Sequence, residues 1–100
     1  MKFASLAVGA ACAFMISAQA QATGLMTCES GDPAKWQSKD KLTKMMQAEG
    51  WKVRRIKVDG GCYEVYGTTP DGNRVEAYYH PVTLEKLLVA RRGEILFQKK

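Results

Sequence analysis

The side chains able to do chemistry crowd into one stretch, Cys62 to Pro81 (CYEVYGTTPDGNRVEAYYHP). It holds all four tyrosines, two glutamates, a cysteine and the chain's single histidine, His80. One imidazole excludes a multi-histidine metal centre. A nucleophile paired with His80 would have to be Cys28 or Cys62 as thiolate, or Ser30 or Ser38 as alkoxide, with a third group to orient the base. No nucleophile elbow accompanies them. Glu64 and Glu76 fall on one face of a sheet, where paired carboxylates can do acid–base work; on a small two-hairpin sheet they more often pair with Arg or Tyr. Gly60-Gly61 lacks the pattern of a phosphate-cradling loop. A chain this short scarcely encloses a ligand pocket of roughly 300 Å³. The expectation is therefore a non-enzyme with no resident cofactor or metal, acting by binding. Tyr66, Arg74, Tyr78 and His80 are the candidate partner-binding residues, because aromatics and arginine dominate protein interfaces. A free edge strand offers a second route, main-chain pairing with an extended peptide. The bland alternative is that these tyrosines only shield the sheet.

The N-terminus bounds the compartment. MKFASLAVGAACAFMISAQAQA opens on Lys2, runs apolar to Ile16 and ends in small residues. That is the order of a secretory signal peptide, and the apolar run falls short of the roughly 20 residues of a membrane span. Residues 1–20 are read as the signal, cut after Ala20 or after Ala22, and Cys12 leaves with it. Residues 21–35 are read as a tether and 36–100 as one domain in a periplasmic or secreted protein. No stable membrane insertion is expected after cleavage.

Two cysteines remain, Cys28 and Cys62. Export to an oxidising compartment predicts a disulfide between them, since a chain of this size has a thin core. A metal or redox pair is the alternative, disfavoured because neither cysteine sits in a C-x-x-C. The net charge is +5, with clusters at Arg54-Arg55, Arg91-Arg92 and Lys99-Lys100. Export removes most of the case for nucleic acid, leaving a protein partner or a solvated surface.

These residues need elements to hold them. Asp32-Pro33 and Ser38 are both helix-start signals. Leu42, Met45 and Met46 form an apolar stripe at helical spacing, and Gly50 ends the helix. Trp51-Val53 and Ile56-Val58 have opposite parity, so a bulge at Arg54-Arg55 is expected. Residues 51–58 and 62–68 should form a hairpin about Asp59-Gly60-Gly61. A second turn at Thr69 to Asn73 sets Thr68 opposite Arg74. Tyr63, Val65, Gly67, Val75, Ala77 and Tyr79 then share an apolar face awaiting the helix. Glu64, Tyr66, Glu76 and Tyr78 share the other, and Cys62 is turned away from the apolar face. Pro81 interrupts the third strand. The tail fits helix or short strands; a fourth edge strand over Lys86–Arg91, with a turn near Gly93, is preferred. The fold class is thus α+β, one main helix on an antiparallel sheet of three to four strands.

That order of elements, with residues 36–83 (WQSKDKLTKMMQAEGWKVRRIKVDGGCYEVYGTTPDGNRVEAYYHPVT), resembles the PepSY domain family, in particular its small exported single-domain members. Gly50-Trp51-Lys52-Val53, Cys62-Tyr63-Glu64-Val65-Tyr66, Val75-Glu76-Ala77-Tyr78 and Pro81-Val82-Thr83 carry the likeness. Two positions depart from it: His80 stands where an aspartate is usual, and Leu84 where a glycine commonly follows the threonine. The resemblance implies one helix against a small antiparallel sheet, and a regulatory or inhibitory association with a protease. A small-ligand or metal-binding envelope protein using His80, Met26 and the other methionines is the alternative.

Overall fold

The structure, a computed structural model, describes residues 24–100. The signal-peptide reading and both cleavage positions lie outside the described residues. Both helix-start signals are used. Asp32 accepts from the Ala34 amide and caps a short 3-10 turn at Pro33–Lys35. Ser38 accepts from the Lys41 amide and caps α1, Lys39–Ala48. The helix ends at Glu49, and Gly50 follows with φ 95, the left-handed conformation that favours glycine.

Five strands follow: β1 (Lys52–Asp59), β2 (Cys62–Thr68), β3 (Arg74–Tyr79), β4 (Lys86–Arg91) and β5 (Glu94–Gln98). They form one antiparallel sheet in sequence order. The β2–β3 register is the expected one, from Tyr63 opposite Tyr79 to Thr68 opposite Arg74. The β1 irregularity falls between Val53 and Arg55, and returns Val53 and Ile56 to one face.

The sheet has five strands where three to four were expected. Arg92 and Gly93 both take positive φ, 51 and 84, between the paired residues Arg91 and Glu94. Two such residues in succession make the tight turn whose twist suits a two-residue hairpin, so the chain reverses into a further strand. The turn near Gly93 was expected; the strand after it, Glu94–Gln98, was not, since Asn, Asp or Gly usually marks the first of these positions and Arg92 stands there.

Between β3 and β4, Leu84 has φ 61 and is nonetheless buried. Its amide donates to the His80 carbonyl at 2.7 Å. The turn therefore keeps a left-handed backbone that a glycine would adopt freely, and this chain places a core leucine there.

Helix α1 covers one face. Leu42 and Met46 are fully buried against Tyr63, Val65, Val75, Ala77, Tyr79, Leu84 and Val89, with Trp51 closing one end. Trp36 meets Tyr63 edge-on at 5.7 Å, and the Tyr63 hydroxyl donates to the Gln37 carbonyl at 2.6 Å. Each large side chain so buried contributes about 1.5–3 kcal/mol.

The other face is half covered, by the residues read as a tether. Cys28 is bonded to Cys62, with Cα atoms 5.1 Å apart. Met26 and Cys28 pack on a second cluster of Cys62, Tyr78, Leu88 and Ala90. The turned-away Cys62 thus meets the N-terminal strap. Gly60 and Gly61 admit it: a Cβ on Gly60 would lie 2.7 Å from the Met26 carbonyl oxygen, and one on Gly61 2.6 Å from that of Cys28. Side chains at this turn would push the strap away.

Candidate functional site

Strand alternation distributes the four candidate residues along the face opposite the helix, and the strap decides which of them reach solvent. Tyr78 does not. It is fully buried in the cluster beneath the strap, its hydroxyl donating to Asp59 Oδ2 at 3.0 Å. The expectation that Tyr78 stands on an exposed face is corrected, because the disulfide draws residues 24–28 across it. His80 is half buried. Its Nδ1 accepts from the Val82 amide at 3.1 Å, so Nε2 carries the hydrogen and faces the Glu29 carbonyl at 3.3 Å. The imidazole ties the β3–β4 turn to the strap.

Tyr66 and Arg74 lie beyond the strap, toward the other end of the sheet. Tyr66 is half buried opposite Glu76, and Arg74 is exposed opposite Thr68. The Arg55 guanidinium sits 5.8 Å and the Lys57 ammonium 5.6 Å from the centre of the Tyr66 ring. Both are near enough for cation–π attraction. An open depression of about 310 Å³ lies alongside, lined by Arg54, Arg74, Val75, Glu76, Ala90, Arg91 and Arg92. The candidate surface is therefore one basic, tyrosine-centred half-face, from which Tyr78 and His80 are separated.

Under this surface lies Glu64, fully buried, its Oε1 3.8 Å from Lys57 Nζ. Burial first, and then the neighbouring Glu76 carboxylate, raises the Glu64 carboxyl above its ordinary value, while Lys57 opposes the shift. Burial, then Glu64, likewise raises the Tyr66 phenol. The Tyr66 hydroxyl in turn holds the Lys57 ammonium above its usual range. Glu64, Lys57 and Tyr66 thus form an interlocked set.

Arg54, Arg55, Lys57, Arg91 and Arg92 were not among the residues picked out for the site. A signal existed. With the bulge at Arg54-Arg55, alternation puts Arg55 and Lys57 on the Tyr66 face. Arg91-Arg92 reaches the depression at the end of β4, where Ala90 pairs with Glu76.

The described methionines of the alternative metal or small-ligand set lie on opposite faces of the sheet. Met46 is buried and Met45 packed in the core under the helix, whereas Met26 packs on the opposite face of the sheet. Among the described residues no group of three or more His, Cys, Asp or Glu side chains is placed to hold a metal ion. Surface hollows larger than expected do occur. Besides the arginine-lined one, a groove of about 380 Å³ runs between α1 and β1, lined by Lys39, Asp40, Thr43, Val53, Arg54, Arg55 and Ile56. A third, of about 430 Å³, is lined by residues Ile95 to Lys100. Among the described residues no helix is long and apolar enough to cross a membrane.

Compared with known proteins, residues 5–88 match a family described as peptidase propeptide and YPEB domain. Neither a curated protein nor a solved structure matches the chain.

Proposed function

The chain belongs to the PepSY family of peptidase propeptide and YPEB domains, and from that premise we propose that it is an exported protein-binding module that restrains or regulates an envelope protease. The observation that carries this reading is the bare half-face around Tyr66. An aromatic ring is held there under Arg55 and Lys57, with Arg74 exposed nearby. Aromatic and arginine side chains held in place by neighbours lose little freedom on docking. The Cys28–Cys62 disulfide and the signal-like N-terminus fit an oxidising compartment outside the cytoplasm. The surface binds and occludes rather than turning over a substrate.

The test has two parts. Crosslinking in the native compartment should join the chain to an envelope protein. The purified oxidised chain, added to envelope proteases, should then slow one of them. Tyr66→Ala and Arg74→Ala should each weaken the inhibition, whereas Lys35→Ala, on the exposed 3-10 turn, should not. Absence of any crosslinked envelope protein, together with unchanged protease rates, would remove this reading.

A further inference from the structure

The sheet ends in two unlike edges. Strand β5 exposes Ile95, Leu96 and Phe97. Strand β1 carries four cations in eight residues, Lys52, Arg54, Arg55 and Lys57. It pairs with β2 alone in the sheet order, so its outer main-chain donors and acceptors form an open edge among the described residues. Its two faces differ. Val53, Ile56 and Val58 stand opposite Gly67, Val65 and Tyr63, on the helix side, and Val58 is 48% exposed. Arg55 and Lys57 stand opposite Tyr66 and Glu64, on the basic side. The groove between α1 and β1 runs beside this edge, lined by Val53 and Ile56 and by the polar Lys39, Asp40, Thr43, Arg54 and Arg55.

We propose that β1 is the docking edge for the protein partner, which adds an extended segment as a sixth strand with acidic side chains at alternate positions. The proposal rests on the protein-binding reading above and names the chemistry of the partner. Strand addition supplies affinity through main-chain hydrogen bonds, and alternate side chains supply specificity. On this edge, one set of alternate residues meets Arg55 and Lys57, whose charges favour carboxylates. The other set meets Val58 and Ile56, which favour apolar groups. The same cations oppose pairing of β1 with a second copy of itself, since like charges across an edge repel. The acids near this edge are already engaged: Asp40 pairs with Lys44 at 3.3 Å, Asp59 accepts from Tyr78 and the Gly24 amide, and Glu64 is buried beside Lys57. A nucleic acid fits less well. The open main-chain donors and acceptors of β1 pair with a peptide backbone and not with a nucleic acid.

The test is a titration of the ¹⁵N-labelled, oxidised chain with a synthetic peptide of alternating glutamate and valine, followed by amide shifts. A lysine–valine peptide, a single-stranded oligonucleotide and anionic phospholipid vesicles serve as the other arms. The glutamate–valine peptide should shift the amides of residues 52–58, and binding should weaken as salt is raised. The doubly substituted chain, Arg55→Gln with Lys57→Gln, should bind on the order of tenfold more weakly. Equal binding of the lysine–valine peptide, shifts confined to residues 94–98, or stronger binding of the oligonucleotide or vesicles at β1 would each overturn the proposal. The crosslinked protein partner, titrated in the same way, separates the two readings. Binding that leaves β1 unperturbed overturns the edge-strand inference alone. If no partner is crosslinked and no protease rate changes, the module reading falls with it.

Discussion

The Tyr78 hydroxyl donates to Asp59 Oδ2 at 3.0 Å, linking the third strand to the end of the first across the strand between them. The same carboxylate accepts from the Gly24 amide, and the Leu25 amide approaches the Tyr78 oxygen at 3.4 Å. One tyrosine and one aspartate thus anchor the start of the strap. Tyr78→Phe keeps the buried ring and removes the hydroxyl. It should cost about 1–3 kcal/mol, as expected for a hydrogen bond to a charged group. Chemical denaturation measures the loss, and hydrogen exchange should quicken at Gly24 and Leu25 while the β2–β3 amides keep their protection relative to global stability.

The disulfide closes a loop with a sequence separation of 34. The chain-entropy model assigns such a loop about 4 kcal/mol. Replacing both cysteines by alanine should lower stability by roughly that amount, and hydrogen exchange should show residues 24–30 freed from the sheet. Equal denaturation midpoints for the oxidised parent and the double variant would show that the strap is held without the bond.

Leu84 combines a buried side chain with φ 61. Truncation to alanine should cost about 2–5 kcal/mol through the lost packing. Glycine loses the same packing and also releases the left-handed strain. Leu84→Gly should therefore be more stable than Leu84→Ala by about 0.5–1 kcal/mol, after allowing for glycine's greater unfolded-state freedom. Thermal melts of the two variants rank them, and alanine above glycine would contradict the turn geometry.

Burial, then the Glu76 carboxylate, raises the Glu64 carboxyl above its ordinary value of 4.5. The folded chain therefore holds this proton more tightly than the unfolded chain. Stability should fall as pH climbs from 4.5 through the raised value, with the full cost present above it. Glu64→Gln keeps the shape without the ionisation, so its melting temperature should decline less as pH rises above 4.5. A decline as steep as the parent's would show that Glu64 does not set this dependence.

Much of this architecture was legible because its determinants are local. Ser38 before an apolar stripe, Gly50 after it, the parity break at Arg54-Arg55 and the alternation through β2 and β3 each specify a nearby backbone choice. Adjacent hairpins then fix the register from turn length alone. The pairing of Cys28 with Cys62 was also legible, since only two cysteines remain beyond the signal-like segment. Other features depended on contacts distant in the chain. The strap buries Tyr78 and engages His80 because the disulfide brings residues 24–30 over a sheet face about fifty residues further on; periodicity along the strand carries no information about what lies above it. The fifth strand turns on Arg92 adopting a conformation that its residue type does not advertise. The sequence by itself therefore determined the helix, the hairpins and the faces of the strands, because these follow from neighbouring residues. Only the tertiary structure decided which half of the second face stays bare, because burial there is set by a segment far away in the chain.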